Sequence, residues 1–141
     1  MEPQSYSDWG ALGGLFGREM QSYWEVPVFD GIDVQPTSDE LKHFGAALAS
    51  FGSTPLFHVT GVTPEARTLD DVFDGTQLAA TTLDANAVAK FYHSYLPEDD
   101  ELHVVVFAAP QLSLDEIRRL GHLLTGRKVG SKVALIACTA P

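Results

Sequence analysis

Apolar positions along this chain follow two rhythms, and each change of rhythm marks an element. Between Thr37 and Ser50, Leu41, Phe44 and Leu48 return every three or four residues, which predicts a helix with one apolar stripe. Gly45, Ala46, Ala47 and Ala49 beside that stripe are small enough to let a sheet approach closely. Thr37-Ser-Asp-Glu40 has the form of a capping box, in which a threonine oxygen and a glutamate carboxylate take up amides that a first helical turn leaves unpaired. Val88, Phe91, Tyr92, Tyr95 and Leu96 predict a second helix from about Asp84 to just before Pro97. Ser113-Leu-Asp-Glu116 is another capping box, and the helix it opens carries Ile117, Leu120, Leu123 and Leu124 until Gly126 stops it.

Short apolar runs with strand composition lie between these helices. Val26 to Phe29 is one, followed by turn residues around Asp30-Gly31 and Pro36. Leu56, Phe57 and Val59 make a second, which breaks at Gly61 into a polar loop stiffened by Pro64. Leu102 to Ala109 is continuously apolar, the pattern of a strand buried on both faces of a parallel sheet, and Lys132 to Ala137 is the last run. From Leu56 onward the order strand, helix, strand, helix, strand predicts two consecutive βαβ units. The expected architecture is therefore a single α/β domain over 1–141, three-layered (α/β/α) with a mainly parallel sheet. All three strands would then end on one side, bringing Gly61 to Glu65, Ala109 to Ser113 and Cys138-Thr139 to one edge. In open α/β sheets ligands bind at that edge.

Two segments are less regular. Tyr6 to Phe16 mixes aromatics with glycines and reads as a loop followed by a short helix or an irregular packed segment. Its glycines are not a dinucleotide fingerprint, because no strand precedes them and the spacing is wrong, so close backbone packing is the expected reason for them. Asp70, Asp71 and Asp74 between Arg67 and Thr82 lack the regular ligand loop of a calcium site and read as a solvated helix start.

Composition narrows the function classes. The 141 residues, 45% of them hydrophobic, suffice for one domain with a core. Nineteen acidic against nine basic side chains give a formal charge of -10, which argues against nucleic acid and anionic membrane surfaces as partners. The opening Met-Glu-Pro-Gln-Ser lacks the form of a secretory signal, and nowhere does the chain reach the roughly 18 apolar residues of a membrane span, so a cytoplasmic location is expected. A single cysteine, Cys138, excludes an intrachain disulfide and any site built from several thiolates of this chain.

Several strings resemble the large-subunit, catalytic domain of the aconitase X family. They are Trp9-Gly-Ala-Leu-Gly-Gly, Val26-Pro-Val-Phe, Glu40-Leu-Lys-His-Phe-Gly-Ala-Ala-Leu-Ala49 and Leu56-Phe-His-Val-Thr-Gly-Val-Thr-Pro-Glu-Ala66, then Leu112-Ser-Leu-Asp-Glu-Ile117 and Gly126-Arg-Lys-Val129. The likeness is collinear over nearly the whole chain, and Gly-Val-Thr-Pro-Glu-Ala is its most specific element. It covers only a middle portion of the family's longer subunit, without the flanking regions or the small swivelling domain. The resemblance implies a hydro-lyase that removes water from small hydroxy acids such as hydroxyproline or phosphomevalonate, with an iron-sulfur cluster or a bound iron. Where the family usually shows Gly-Cys-Pro-His or a close variant, this chain has Ala108-Ala-Pro-Gln111, with neither imidazole nor thiolate. Iron-sulfur clusters need several thiolates, so a cofactor is expected only if partner chains supply ligands, with Cys138 as a weak candidate and a buried structural residue otherwise.

The resemblance and the chemistry of the side chains together pick out the candidate site. His58 is the first choice for an acid or base, since imidazole titrates near neutrality and the position matches the family motif; a core histidine bonded to a carbonyl is the alternative. Glu65 is the second candidate, able to bind a cation or exchange protons if desolvated, or else to cap a helical turn. Thr60, the Gly61 amide and Thr63 could donate to a carboxylate or a developing enolate. Gln111 can exchange hydrogen bonds but not protons, and Ser113 serves either the substrate or its helix cap. The expected function is a stand-alone, cluster-free enzyme performing a lyase (dehydratase), isomerase or cyclase reaction on a carbonyl-bearing small molecule in a biosynthetic pathway. The alternatives are one subunit of a split iron-dependent dehydratase that needs a separate swivelling-domain subunit, or an inactive binding scaffold. Apolar surface left by missing neighbours would make the protein a homodimer.

Overall fold

The computed structural model describes residues 3, 5–75, 80–97 and 101–140. They form two compact units, residues 1–96 and 97–141.

In the first unit, helix α1 (Tyr6–Met20) precedes strand β1 (Val28–Phe29), helix α2 (Ser38–Gly52) and strand β2 (His58–Val59). A single 3-10 turn (Leu69–Asp71) and helix α3 (Ala85–His93) follow. The capping box read at Thr37 is present: the Thr37 amide donates to Glu40 Oε2 at 2.8 Å, and the Glu40 amide to Thr37 Oγ1 at 3.2 Å. Asp84 caps α3 by accepting from the Ala87 amide at 2.8 Å. The acidic segment begins with Asp71 accepting from the Thr68 amide at 2.7 Å, while residues 76–79 of that stretch lie outside the described residues.

β1 and β2 run parallel, Val28 beside His58 and Phe29 beside Val59, with α2 as the crossover. The first βαβ unit therefore begins one strand earlier than expected. Its core is aromatic: the Phe29 and Phe44 rings lie 4.9 Å apart edge to face, and Phe57 stands 5.1 Å from Phe44. Trp9, Leu12, Leu48, Val59, Val88 and Phe91 complete that core. Arg18 lies over the rings of Phe51, Phe91 and Tyr95 and donates to the Tyr95 hydroxyl. Not every ring is buried, since Trp24 is 88% exposed and Tyr23 packs edge to face against it.

α1 is a full 15-residue helix where a loop and a short helix were expected. Its glycines explain the difference. A Cβ on Gly13 would stand 2.3 Å from the Phe44 carbonyl oxygen, and one on Gly52 would stand 2.5 Å from that of Gly17. The backbones of α1 and α2 thus touch, and this contact outweighs the low helix propensity of glycine, which is about 1 kcal/mol per residue. The glycines serve helix packing, as the sequence indicated.

In the second unit, strand β3 (Val104–Leu112) leads through helix α4 (Leu114–Leu124) to strand β4 (Ala134–Thr139). β3 and β4 are parallel, and Val104, Val105, Val106 and Phe107 stand beside Ala134, Leu135, Ile136 and Ala137. The capping box at Ser113 forms, with the Ser113 amide donating to Glu116 Oε2 at 2.6 Å and the Glu116 amide to Ser113 Oγ at 3.2 Å. Gly126, at φ 72°, follows the end of α4. β3 is not buried on both faces as its apolar run suggested: Val104 is 50% and Val106 54% exposed. The run reports an apolar strand, whereas its cover depends on neighbours that a strand's own composition does not specify.

The chain is an α/β protein whose described strands form two parallel pairs. No helix among the described residues is long and apolar enough to cross a membrane.

Candidate active site at the end of β2

The loop after β2 is built around one carbonyl. The Val59 oxygen accepts from the amides of Val62 and Thr63, each at 3.0 Å, and from the Thr63 hydroxyl at 3.2 Å. The Val59 amide in turn donates to Thr63 Oγ1 at 3.1 Å, so the threonine side chain clasps both polar groups of one strand residue. Gly61 holds φ at 74°, a left-handed conformation that a side chain would strain, and its amide donates to the Ala66 carbonyl at 2.8 Å. Ala66 is fully buried and anchors the far end of the loop.

Strand alternation divides the residues of β2 and its continuation between two faces. Phe57 and Val59 turn toward the aromatic core, so His58 and Thr60 share the opposite face. The ladder persists as far as Thr60, whose amide donates to the Phe29 carbonyl at 3.0 Å. His58 Nδ1 and Thr60 Oγ1 are both buried, and neither has a hydrogen-bond partner among the described residues. A buried polar atom left unpaired costs about 1–3 kcal/mol, so two of them on one face two residues apart need an explanation.

The other expected site residues fall out as follows. Glu65 is exposed at the loop surface. Thr63 and the Gly61 amide make the intraloop bonds just described, which leaves the Thr60 hydroxyl as the unengaged donor of the three. Gln111, Ser113 and Cys138 belong to the second unit: Gln111 is exposed on β3, Ser113 caps α4, and Cys138 is half-buried in β4. Gln35 was not anticipated. Its Nε2 donates to the Gly61 carbonyl at 3.4 Å from the connection between β1 and α2. Parallel pairing of β1 with β2 puts the loops after both strands at the same end, so the strand order carried the signal for Gln35.

The cluster implied by the family does not fit the donors of this chain. Cys138 is its one thiol, and no three His, Cys, Asp or Glu side chains among the described residues are grouped to hold a metal.

Residues 1–93 match the family model of the aconitase X second domain. The chain belongs to the aconitase X family. It is 36% identical over 133 residues to the cis-3-hydroxy-L-proline dehydratase of Hypocrea jecorina, covering 92% of this chain and 22% of that protein. To the phosphomevalonate dehydratase large subunit of Methanothermobacter thermautotrophicus it is 35% identical over 136 residues, 96% of this chain and 32% of that one. To the cis-3-hydroxy-L-proline dehydratase of Pseudomonas aeruginosa it is 36% identical over 115 residues, 79% of this chain and 20% of that protein. The chain thus spans about a fifth to a third of the aconitase X relatives it matches. No solved structure matches it.

Proposed function

We propose that this aconitase X chain carries the proton-transfer group of a dehydratase acting on a small molecule whose hydroxyl lies β to a carboxyl or carbonyl carbon. The observation that carries this reading is the pair of buried, unpartnered polar atoms, His58 Nδ1 and Thr60 Oγ1, beside the Gly61 loop. A substrate lying on that face would engage both, its acidic C–H at His58 and its carbonyl oxygen at Thr60.

In this scheme the His58 imidazole takes the proton from the carbon next to the carbonyl, and the C–H electrons pass to the carbonyl oxygen. The Thr60 hydroxyl donates to that oxygen as its charge develops, which is where a fixed donor lowers the barrier most. The enolate then collapses, the C–O bond of the β-hydroxyl breaks, and the departing hydroxide takes the proton from His58 and leaves as water. Thr63 and Gly61 act by shaping the loop, Gln35 by holding its Gly61 carbonyl, and Glu65 by orienting substrate from the rim. Isomerisation or cyclisation would begin with the same proton abstraction, so the geometry is compatible with those outcomes too. Gln111, Ser113 and any iron ligand contributed by Cys138 would act only in the assembled enzyme.

The relatives named as large subunits suggest that a separate small subunit completes the enzyme. A two-fold homodimer is the competing way to cover the apolar surface of this chain. The test of the catalytic reading uses the protein purified with whatever subunits copurify, incubated in D2O with cis-3-hydroxy-L-proline or phosphomevalonate. Proton NMR should show exchange or loss of the proton next to the carboxyl group, abolished by His58→Asn and slowed by Thr60→Val. Undiminished exchange in folded His58→Asn protein overturns the assignment.

A further inference from the structure

The face at the end of β2 offers a base and a neutral donor, His58 and Thr60, and neither brings a fixed positive charge. For a substrate acid that is a deficit. Removing a proton from the carbon beside a carboxylate sends a second negative charge onto a group that already carries one, and a hydroxyl donor alone balances neither. The surroundings add to the demand. Asp30 and Asp33 follow β1 and Glu65 follows β2, all three are exposed, and an anion approaching this edge meets like charge.

Cations are scarce in this unit. Residues 1–96 hold thirteen acidic side chains and four basic ones, Arg18, Lys42, Arg67 and Lys90. Arg18 lies over three aromatic rings, Lys42 stands 3.5 Å from Asp39, and Lys90 sits in the last turn of α3, where a helix favours positive charge. Arg67 is exposed, and among the described residues it has no ion pair, hydrogen bond or ring contact. Nearby acids leave it alone: Asp71 turns its carboxylate to the amide and hydroxyl of Thr68 instead. The loop fixes where Arg67 stands. The Gly61 amide donates to the Ala66 carbonyl at 2.8 Å, and the carbon of that carbonyl is bonded to the Arg67 nitrogen, so the Arg67 backbone lies against the residue that follows Thr60. Buried Ala66 pins that joint.

We infer that Arg67 is the specificity-determining residue of this site: its guanidinium takes one oxygen of a substrate carboxylate while the Thr60 hydroxyl takes the other, which makes the substrate an acid and not a neutral carbonyl compound. The inference rests on reading the His58–Thr60 face as the place where substrate lies. As His58 removes the proton, the C–H electrons move onto the carboxylate, and the charge of the guanidinium offsets the second negative charge there. Breaking of the β C–O bond then returns the carboxylate to a single charge, and no bond to Arg67 forms or breaks. A guanidinium suits this task because its planar fork matches a carboxylate, whereas a lysine ammonium offers the charge without the fork.

The experiment titrates the full chain, purified with whatever subunits copurify, with cis-3-hydroxy-L-proline and with its neutral carboxamide. Calorimetry reads binding, and proton NMR in D2O reads exchange. The protein should bind the acid about tenfold more tightly than the amide. Arg67→Gln should erase that preference by weakening the acid alone, Arg67→Lys should keep part of it, and thermal melts should show both variants folded. Exchange at saturating acid should slow about a hundredfold in Arg67→Gln, because the charge acts on the developing anion as well as on binding. Protein that binds neither compound, that does not prefer the acid, or whose preference survives Arg67→Gln overturns the inference, as does a variant that loses acid and amide equally. Binding keeps the two assignments apart. His58→Asn should retain the preference for the acid, so exchange that survives His58→Asn removes the base alone, and a preference indifferent to residue 67 removes Arg67 alone.

Discussion

In residues 6–93 a βαβ unit packs with α1 and α3, and Phe44, Leu48 and Val59 are wholly out of water. In residues 104–139 the same βαβ plan leaves Val104, Val106 and Ile136 about half exposed. The elements are equally regular in both, with a capping box at Thr37 and another at Ser113. What differs is the number of layers. A βαβ unit supplies its own hydrogen bonds, but it buries an apolar core only when further elements close over it.

The contrast can be broken most directly in the core. Phe44→Ala should destabilise residues 1–96 by about 3–5 kcal/mol, whereas Val106→Ala, on an open face, should stay within about 0.5 kcal/mol. Thermal melts followed by aromatic circular dichroism would read the difference, and equal effects would show that the second unit holds a packed core after all. Next in size is the helix seam. Gly13→Ala places a methyl group against the Phe44 carbonyl and should cost about 2–3 kcal/mol, lowering the melting temperature by several degrees per kcal/mol. Gly121→Ala, where an added Cβ meets nothing within 4 Å, should by contrast be neutral or slightly stabilising.

Cap removal sharpens the comparison at about 1 kcal/mol. Thr37→Ala should lower the global melt, because α2 carries the buried Phe44 and Leu48. Ser113→Ala should instead appear as faster hydrogen exchange in the first turn of α4, with the melt of residues 1–96 unchanged. The smallest expected effect concerns Tyr92, whose hydroxyl donates to Asp8 Oδ1 at 2.8 Å. Partial burial of the phenol, together with the Asp8 carboxylate, raises its pKa above 10.0 against an opposing hydrogen bond from Ser7. Because the fold holds this proton more tightly than the unfolded chain does, the contribution is complete below pH 10.0 and fades as the pH rises through the raised value. Tyr92→Phe should remove a phenol ionising above pH 10.0 from an ultraviolet titration.

How much of this was legible in the sequence depended on how local each cause is. Thr37 with Glu40, and Ser113 with Glu116, lie three residues apart, so both caps could be read from short strings. α1 could not, because its helical state rests on contact with α2, which begins 18 residues after α1 ends. The pairing of β2 with β1 was hidden for a related reason, since the rhythm shows strands but not which neighbours they choose. At the site, the sequence named His58 and Thr60 as candidates, while their shared face came from the strand and the core that Phe57 and Val59 join. The sequence was silent on a further point. It could not show that the Thr63 hydroxyl and the Gly61 amide are used inside the loop, because those bonds follow from a turn closed by the left-handed Gly61 and the buried Ala66.

The contact between α1 and α2 also bears on how this chain can vary. At positions 13, 17 and 52 an added Cβ would meet backbone atoms of the facing helix at under 3.0 Å, and backbone cannot swing aside as a flexible side chain can. A library randomised at these three positions should return a one-letter alphabet. Positions 104, 106 and 136, all about half exposed, should accept a broad set. The two patterns of tolerance would then map, from variant counts alone, which positions are fixed by backbone contact and which are not.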